Sequence, residues 1–423
     1  MVQLSNDCFV PGADLMTLEE ALGLMQSRVS PVVGRETADL GSARGRILAE
    51  DVVSSLNVPP HDNSAVDGYG FRYADLSENG ATIFDVVGRA TAGHPLETPA
   101  GWILPARAAV RVFTGAPVPA DCDTVVMQED VDDHGDGTVS VPAGLEPGSN
   151  CRAAGEDILA GTTILKKGLR LKPQHLGLAA SVGRDSLPVF APLRVALFST
   201  GDEVKDPGTP LPPGGIYDAN RFMVRALCEE LGAQVSDLGV LADQEAAVRP
   251  ALEKAAASHD LIITSGGVSV GDEDHVKAVV ESLGGLYFWR LAIKPGRPIA
   301  LGQVAGVPFA GLPGNPVAAM VTFVRIVRPM VLLLSGASQI EPRYYRVRSG
   351  FDYAKKLSRR EMIRARIETD EGGAPTAHRF KNQGSGVLSS VASSDGLVEL
   401  PEDMDQVAAG DLVDFYPFSE VGA

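Results

Sequence analysis

The chain has 423 residues, 44% of them hydrophobic, and carries a formal net charge of −17 at pH 7. This length predicts several domains with packed cores. The acidic balance argues against general nucleic-acid binding, so any anionic ligand needs a local positive patch. We expect neither a membrane span nor a secretory signal, because the apolar runs are short and the N-terminus is not basic. The four cysteines are far apart in sequence, which predicts a reducing cytoplasm rather than a disulfide framework.

The N-terminal part predicts a helical domain that is interrupted by a β insertion. Thr17 and Glu20 form a capping box ahead of an amphipathic helix, and a second helix is predicted at Pro173–Val182 with proline in its first turn. We therefore assign residues 1–57 and 151–189 to one split helical linker domain.

Residues 58–150 are predicted to form the inserted β domain. Val58–Gly70 is dense in Asn, Ser, Asp and Gly, which is typical of a loop that either enters a domain or binds a ligand. The segments after it predict short strands in a small barrel or sandwich. These strands are expected at Ile83–Val87, Trp102–Leu104, Ala108–Phe113, Thr124–Gln128 and Thr138–Val141.

Residues 190–338 alternate between strand and helix patterns, which predicts a doubly wound, mostly parallel α/β sheet. Strands are expected at Arg194–Phe198, Val235–Leu238, Leu261–Thr264, Leu286–Trp289 and Val307–Ala310. Helices are expected at Ala219–Leu231, Glu245–Ala257, Asp274–Leu283 and Pro316–Leu334. Ligands bind beyond the carboxyl ends of the strands in such sheets, and several polar or glycine-rich segments follow those ends. These segments are Ser199–Glu203, Asp243, Ser265–Gly267, Lys294–Gly296 and Leu312–Pro316.

The segment Leu261–Pro298 predicts an anion site. It reads as strand, glycine loop and helix, and a helix N-terminus favours anions. Asp272 and Glu273 either cap that helix or help to hold a divalent cation that bridges phosphates. If Leu286–Lys294 is one extended strand, Arg290 and Lys294 share a face and face the same site.

Residues 339–423 predict a small β domain from alternating apolar positions and glycine turns. Arg343–Lys381 is the one strongly basic stretch of the sequence. We expect most of its Lys and Arg side chains to be exposed to solvent.

Seven motifs together resemble those of the molybdopterin molybdenumtransferase family, which includes the bacterial MoeA proteins and the gephyrin E domain. The resemblance extends from about Leu18 to about Phe418. The motifs are Asp62–Tyr69, Thr114–Pro117, Ala154–Asp157, Ser199–Glu203, Ser265–Gly271, Ile293–Gly296 and Leu312–Pro316. The resemblance implies four domains: the split helical domain, the inserted β domain, a molybdopterin-binding α/β domain and a C-terminal β barrel.

The resemblance also implies an activity, in which adenylylated molybdopterin and molybdate give molybdenum cofactor with Mg²⁺-dependent release of AMP. The implied catalytic residues are Asp67, Thr114, Asp157, Glu203, Asp243, Asp274, Arg290 and Lys294, and Glu203, Asp243 and Asp274 are the expected Mg²⁺ ligands. Substrate binding is assigned to Ser265, Gly266, Gly267, Ser269, Pro295, Gly296, Pro313, Gly314, Asn315, Arg364 and Ser385. Relatives usually carry lysine at position 290, and some carry serine at position 318, where this chain has Ala318.

The resemblance further implies a homodimer that receives its substrate from a molybdopterin adenylyltransferase. We expect Asp67 and Thr114 to complete the active site of the other subunit. Two alternatives stay open at this point. One is that the chain is itself the adenylyltransferase, and the other is a gephyrin-like interaction scaffold.

Overall fold

The computed structural model describes residues 5, 8–12, 15–267, 275–370 and 372–421. The chain divides into two compact units. The smaller unit consists of residues 51–166 and 173–185, and the larger one of residues 1–50, 167–172 and 186–423. The predicted fold class is confirmed: an α/β domain, an inserted β domain and a C-terminal β barrel are present. The boundaries of the four predicted domains stay a prediction.

The smaller unit is built on a six-stranded sheet. Across the sheet the strands are Thr124–Met127, Gly68–Phe71, Ala108–Val112, Thr82–Ala90, Thr138–Val141 and Asp132–Asp133. Two short ladders and a helix complete the unit: Asn63–Ser64 with Cys151–Arg152, Val52–Val53 with Thr163–Leu165, and helix Pro173–Ser181. Its buried apolar side chains form two clusters, and neighbouring residues of one strand alternate between them: Val110 and Val125 belong to one cluster, and Ala109 and Val126 to the other.

One strand prediction for this unit is wrong, and one predicted loop contains a strand. Trp102–Leu104 lies outside the strands, and the predicted loop Val58–Gly70 ends in the buried strand Gly68–Phe71. A Cβ built at Gly68 would lie 1.8 Å from the carbonyl oxygen of Val126, so only glycine fits between these two backbones. The residue that suggested a turn is therefore the one that permits close strand pairing.

The larger unit begins with the predicted N-terminal helix, Leu18–Arg28. The capping box is present, because the Thr17 amide donates to Glu20 Oε2 at 2.8 Å and the Glu20 amide donates to Thr17 Oγ1 at 3.2 Å. Strands Arg35–Asp39 and Ser186–Phe190 then pair antiparallel.

A six-stranded α/β sheet forms the centre of the larger unit. In spatial order its strands are Gln234–Leu241, Arg194–Thr200, Leu261–Ser265, Val307–Leu312, Pro298–Val304 and Gly284–Arg290. The first four are parallel neighbours, and the last two pair antiparallel. Its helices are Asn220–Glu230, Glu245–Ser258, His275–Leu283 and the composite helix 316–334. A two-residue parallel ladder joins Val204–Lys205 to Ile216–Tyr217.

Strand Pro298–Val304 has no counterpart in the sequence prediction. It forms a hairpin with Val307–Leu312 through Ala305 and Gly306, whose φ angles are +48° and +82°. Positive φ at both loop residues is typical of a type I′ turn, but Ala-Gly is a weaker sequence signal than Asn-Gly. Because two antiparallel pairings follow one another, strand Gly284–Arg290 ends at the same edge of the sheet as the parallel strands.

The helix over residues 316–334 consists of Pro316–Thr322, a π-helical turn at Phe323–Val327 and Arg328–Leu334. Contrary to the sequence expectation, this helix is long and apolar enough to cross a membrane by length and composition. However, 94% of its most apolar window is buried inside the protein. It packs in the main hydrophobic core beneath the sheet.

The C-terminal part is a closed five-stranded barrel. Around the barrel the strands are Arg360–Thr369, Pro375–Arg379, Tyr345–Ser349, Leu412–Pro417 and Gly396–Leu400, which pairs again with Arg360–Thr369. The pair Tyr353–Ala354 with Gln406–Val407 and the short helices Ser389–Ala392 and Phe418–Val421 lie beside it. Strand Ile293–Lys294 extends the barrel sheet by pairing parallel with Arg360 and Glu361.

Candidate functional site

Two glycine loops meet at the carboxyl ends of neighbouring parallel strands. The first is Ser265–Gly267, and the second is Leu312–Pro316. The Gly266 amide donates to the Leu312 carbonyl at 3.2 Å. The Asn220 side-chain amide donates to Ser265 Oγ and to the Gly314 carbonyl, both at 2.8 Å. Asn220 thus joins the two loops, and sequence reasoning missed it. The available signal was an asparagine at the start of a predicted helix that follows a loop.

The acidic part of this edge follows two other neighbouring strands. Their last residues, Thr200 and Leu241, are register partners, so the segments with Glu203 and Asp243 start side by side. Glu203 is exposed and Asp243 is half-buried. Within the described part of the chain, Asp243 Oδ1 and the hydroxyls of Ser199 and Thr200 are buried without a hydrogen-bond partner. Each such atom needs a hydrogen-bond partner, which a bound water, ion or polar ligand would supply.

The predicted Mg²⁺ site can be examined for two of its three carboxylates. Asp274 lies outside the described residues, as does the predicted substrate-binding residue Ser269. Among the residues that the structure describes, no group of three or more His, Cys, Asp or Glu residues could hold a metal ion. The donor chemistry of Glu203 and Asp243 fits Mg²⁺ nevertheless, because this ion prefers carboxylate oxygens and Asp243 Oδ1 lacks a donor among the described residues.

The predicted basic residues Arg290 and Lys294 do not lie on one strand. Arg290 is the last residue of its strand in the α/β sheet, whereas Lys294 belongs to the short strand on the barrel. The condition that Leu286–Lys294 is one extended strand is therefore not met. Arg290 is exposed, and its carbonyl accepts the Met16 amide at 2.9 Å. Lys294 Nζ donates to Glu361 Oε2 at 3.1 Å.

Glu361 is a buried carboxylate that sequence reasoning missed. Besides Lys294, its donors are the Tyr353 hydroxyl at 2.7 Å and Arg359 Nη2 at 2.6 Å. Burial by itself raises the pKa of Glu361, but the hydrogen bonds from Tyr353, Arg359 and Lys294 lower that pKa below its ordinary value. The available signal was an acidic residue inside an otherwise basic segment.

The remaining residues predicted on this edge either follow Lys294 directly in sequence or belong to the second glycine loop. Pro295 and Gly296 are buried, Pro313 is half-buried, and Gly314 and Asn315 are exposed. Gly296 has φ +99°, and a Cβ built there would lie 2.3 Å from Thr322 Oγ1. The segment after Lys294 therefore needs glycine for both conformation and space.

The barrel contributes Ser385 and Arg364. The Ser385 carbonyl accepts the Val317 amide at 3.0 Å, which places the Ser385 backbone at the start of the helix that follows the second glycine loop. Arg364 is 1% exposed. Its guanidinium donates to Ser390 Oγ at 3.0 Å and to the Gly384 carbonyl at 3.2 Å.

Arg364 has no carboxylate paired with it among the described residues. Burial lowers the pKa of Arg364 to about 10, so the guanidinium stays charged at neutral pH. Arg364 and Arg360 are thus buried members of the stretch in which most Lys and Arg side chains were expected to be exposed.

The smaller unit carries Asp67, Thr114 and Asp157. Asp67 Oδ1 accepts both the backbone amide and the hydroxyl of Thr114 at 2.8 Å. These two hydrogen bonds lower the pKa of Asp67 below its ordinary value. The side chain of Asp157 is exposed, and its amide donates to the Val58 carbonyl at 3.0 Å. Asp67 and Thr114 are thus in contact, while Asp157 lies on a neighbouring loop.

Family models match three consecutive regions of the chain. The MoeA N-terminal region (domains I and II) matches residues 16–183, a probable molybdopterin binding domain matches residues 196–332, and the MoeA C-terminal region (domain IV) matches residues 346–418. A molybdopterin molybdenumtransferase of Haemophilus influenzae is 39% identical over 408 residues, which are 96% of this chain and 100% of that relative. The chain belongs to the MoeA family of molybdopterin molybdenumtransferases.

Two further relatives agree with this MoeA assignment. Molybdopterin molybdenumtransferase 2 of Mycobacterium tuberculosis is 38% identical over 399 residues, 88% of this chain and 93% of its own length. The crystal structure of a molybdopterin biosynthesis MoeA protein from Pyrococcus horikoshii superposes with a TM-score of 0.74 at 32% identity. The superposition covers 96% of this chain and 99% of that one.

Proposed function

We propose that this chain is a molybdopterin molybdenumtransferase that takes adenylylated molybdopterin and molybdate, gives molybdenum cofactor and releases AMP. The observation that carries the proposal is the identity to proteins of that name, which extends through the N-terminal, molybdopterin-binding and C-terminal regions. The joined glycine loops at the strand ends supply the kind of site in which α/β sheets bind ligands.

The two glycine loops are proposed to hold the phosphates of the substrate. Backbone amides at a helix start and in tight glycine turns favour anions. Lys294 has three ammonium donors, of which Glu361 takes one, so donors remain for a phosphate oxygen. Arg290, which is exposed at the end of a neighbouring strand, adds a second cation.

Glu203, Asp243 and Asp274 are proposed to hold Mg²⁺. A bound Mg²⁺ supplies charge neutralisation and polarisation of the phosphoanhydride that is broken when AMP leaves. Without a cation these carboxylates would repel the substrate phosphates. Their placement after neighbouring strand ends supports a shared role for Glu203 and Asp243.

Arg364 and Ser385 are proposed to serve the molybdate side. The buried guanidinium donates to the Gly384 carbonyl and thus fixes the loop that carries Ser385.

We expect Arg364→Ala to raise the molybdate concentration needed for half-maximal AMP release by about tenfold or more, since one hydrogen bond to a charged group is worth about 1.5–3 kcal/mol. Adenylylated molybdopterin binding should weaken less. Loss of pterin binding with an unchanged molybdate response would contradict this role.

We also propose that the protein is a cytoplasmic homodimer that receives its substrate from a molybdopterin adenylyltransferase. Asp67 and Thr114 belong to a different compact unit from the α/β sheet. We propose that they complete the site of the second subunit, as isologous two-fold interfaces allow.

The test of the proposed function is direct. The purified protein is incubated with adenylylated molybdopterin, Mg²⁺ and molybdate, and AMP and molybdenum cofactor are measured. We expect stoichiometric release of AMP, and its absence would defeat the proposal. Glu203→Ala should lower AMP release about 100-fold or more while the protein stays folded, because Glu203 is exposed.

The two alternatives have separate outcomes in the same assay. Consumption of ATP with free molybdopterin would favour an adenylyltransferase. The matches to MoeA regions on both sides of the α/β domain count against that activity. If a Glu203→Ala protein without turnover still restored a deletion strain, an interaction role would be favoured.

A further inference from the structure

The Lys294 ammonium and the Glu361 carboxylate belong to opposite residues of one short parallel ladder. The Lys294 side chain is 46% exposed, whereas the Glu361 side chain is 2% exposed. The lysine is thus a half-exposed cation that contacts a buried anion 3.1 Å away. Sequence motifs mark Lys294 but not Glu361, and the contact joins the α/β domain to the barrel.

The Glu361 carboxylate is itself held in place. Tyr353 donates to the oxygen that Lys294 contacts, and Arg359 donates to the other oxygen. With donors on both oxygens and almost no exposed surface, the carboxylate cannot rotate without leaving a buried group unpaired, which is costly. It is therefore a fixed reference point for the flexible lysine side chain.

We propose that Glu361 is a positioning residue of the transferase reaction, which holds the Lys294 ammonium in the orientation that meets substrate oxyanions. Glu361 does not touch substrate in this proposal. The inference rests on the proposed function of Lys294 and extends it, because it makes the barrel strand Arg360–Thr369 part of the catalytic arrangement. A displacement of about 1 Å in a catalytic group can lower a rate about 100-fold.

Glu361→Gln tests this role, because it preserves size and removes the negative charge. We expect kcat for AMP release to fall about 10- to 100-fold, as the lysine loses its charged partner. The positive charges of Lys294 and Arg359 are then less compensated, so the KM for adenylylated molybdopterin should stay constant or fall. Partial unfolding also lowers the apparent kcat at constant KM, so kcat is expressed per folded molecule. Glu361→Asp keeps the charge and should recover part of kcat.

Glu399→Gln is the matched control. Glu399 is a buried carboxylate on the neighbouring barrel strand, where it pairs with Arg325 at 3.2 Å and Arg360 at 2.9 Å. The Glu399→Gln variant tests how the same substitution at another buried carboxylate affects the stability of the barrel. We expect a comparable loss of stability, but a kcat per folded molecule within about twofold of the unmodified protein, as for residues outside an active site.

A second readout does not depend on turnover. The rate at which trinitrobenzenesulfonate labels the Lys294 amine, followed by mass spectrometry, should rise several-fold in Glu361→Gln and stay unchanged in Glu399→Gln. If both labelling and kcat in Glu361→Gln match those of Glu399→Gln, the positioning role is wrong. If the unmodified protein releases no AMP, the proposed function fails, and the labelling experiment still decides whether Glu361 holds Lys294.

Discussion

At the scale of single residues, the contact between Asp67 and Thr114 shows how one residue lowers the pKa of another. The Thr114 amide and hydroxyl both donate to one oxygen of Asp67, and such bonds favour the ionised carboxylate. The folded-state pKa of Asp67 therefore lies below its unfolded value. Its stabilising effect is present above the unfolded pKa and is lost as pH falls through the folded pKa.

Thr114→Val removes the hydroxyl donor and keeps the backbone amide, so we expect the pKa of Asp67 to rise part of the way to its ordinary value. The acid limb of AMP release should shift to higher pH in the same direction. Thr114→Ser keeps the donor and should titrate like the unmodified protein. Carbon-13 NMR of the Asp67 carboxyl measures the shift, and identical titration curves for the valine and serine variants would contradict the prediction.

At the scale of elements, the segments after two strand ends differ in how tightly they are packed. Gly296 is buried against helix 316–334, where a Cβ would lie 2.3 Å from Thr322 Oγ1 and 3.3 Å from the Ala318 carbonyl. Gly314 is exposed, and a Cβ built there meets no atom within 4 Å. The segment that contains Gly296 is therefore fixed by packing. The loop that contains Gly314 is fixed mainly by its hydrogen bond to Asn220.

This difference predicts effects of different size for the same substitution on stability. Gly296→Ala should destabilise the protein by about 1–3 kcal/mol, because both the φ angle and the space exclude a side chain. Gly314→Ala should change stability by less than about 0.5 kcal/mol. Urea unfolding followed by circular dichroism measures both, and equal midpoints for the two variants would refute the packing argument.

At the scale of the whole molecule, the residues with the family's motifs are divided between two compact units. Asp67, Thr114 and Asp157 belong to the smaller unit, while Lys294 and Glu203 belong to the larger one. Under the proposed two-fold arrangement, a subunit damaged in the smaller unit and one damaged in the larger unit can still form one intact site together.

Mixing Asp67→Ala with Lys294→Ala subunits tests this arrangement. Each homodimer should be inactive. Random reassociation makes half of the dimers hybrids with one intact site of two, so AMP release should recover to about a quarter of the unmodified value by two-fold counting. Native mass spectrometry confirms that hybrids form. If hybrids are present and the mixture stays inactive, each site is built within one chain.

Much of the local structure followed from the sequence because its causes are local. The Thr17–Glu20 capping box and the apolar spacing of the major helices predicted elements that the structure contains. Hairpin Pro298–Leu312 was missed because its turn is Ala-Gly, and strand Gly68–Phe71 because glycine usually weakens strands.

The sequence by itself determined the fold class, the strand ends that carry polar and glycine-rich segments, and the resemblance to the MoeA family. These depend on periodicity and on motifs that are short in sequence. Only the tertiary structure revealed that Asn220 joins the two glycine loops and that Lys294 leaves the sheet to meet a buried Glu361. Such contacts join residues 45 to 94 positions apart. Their formation depends on burial and on the mutual packing of sheet and barrel, which no local pattern encodes.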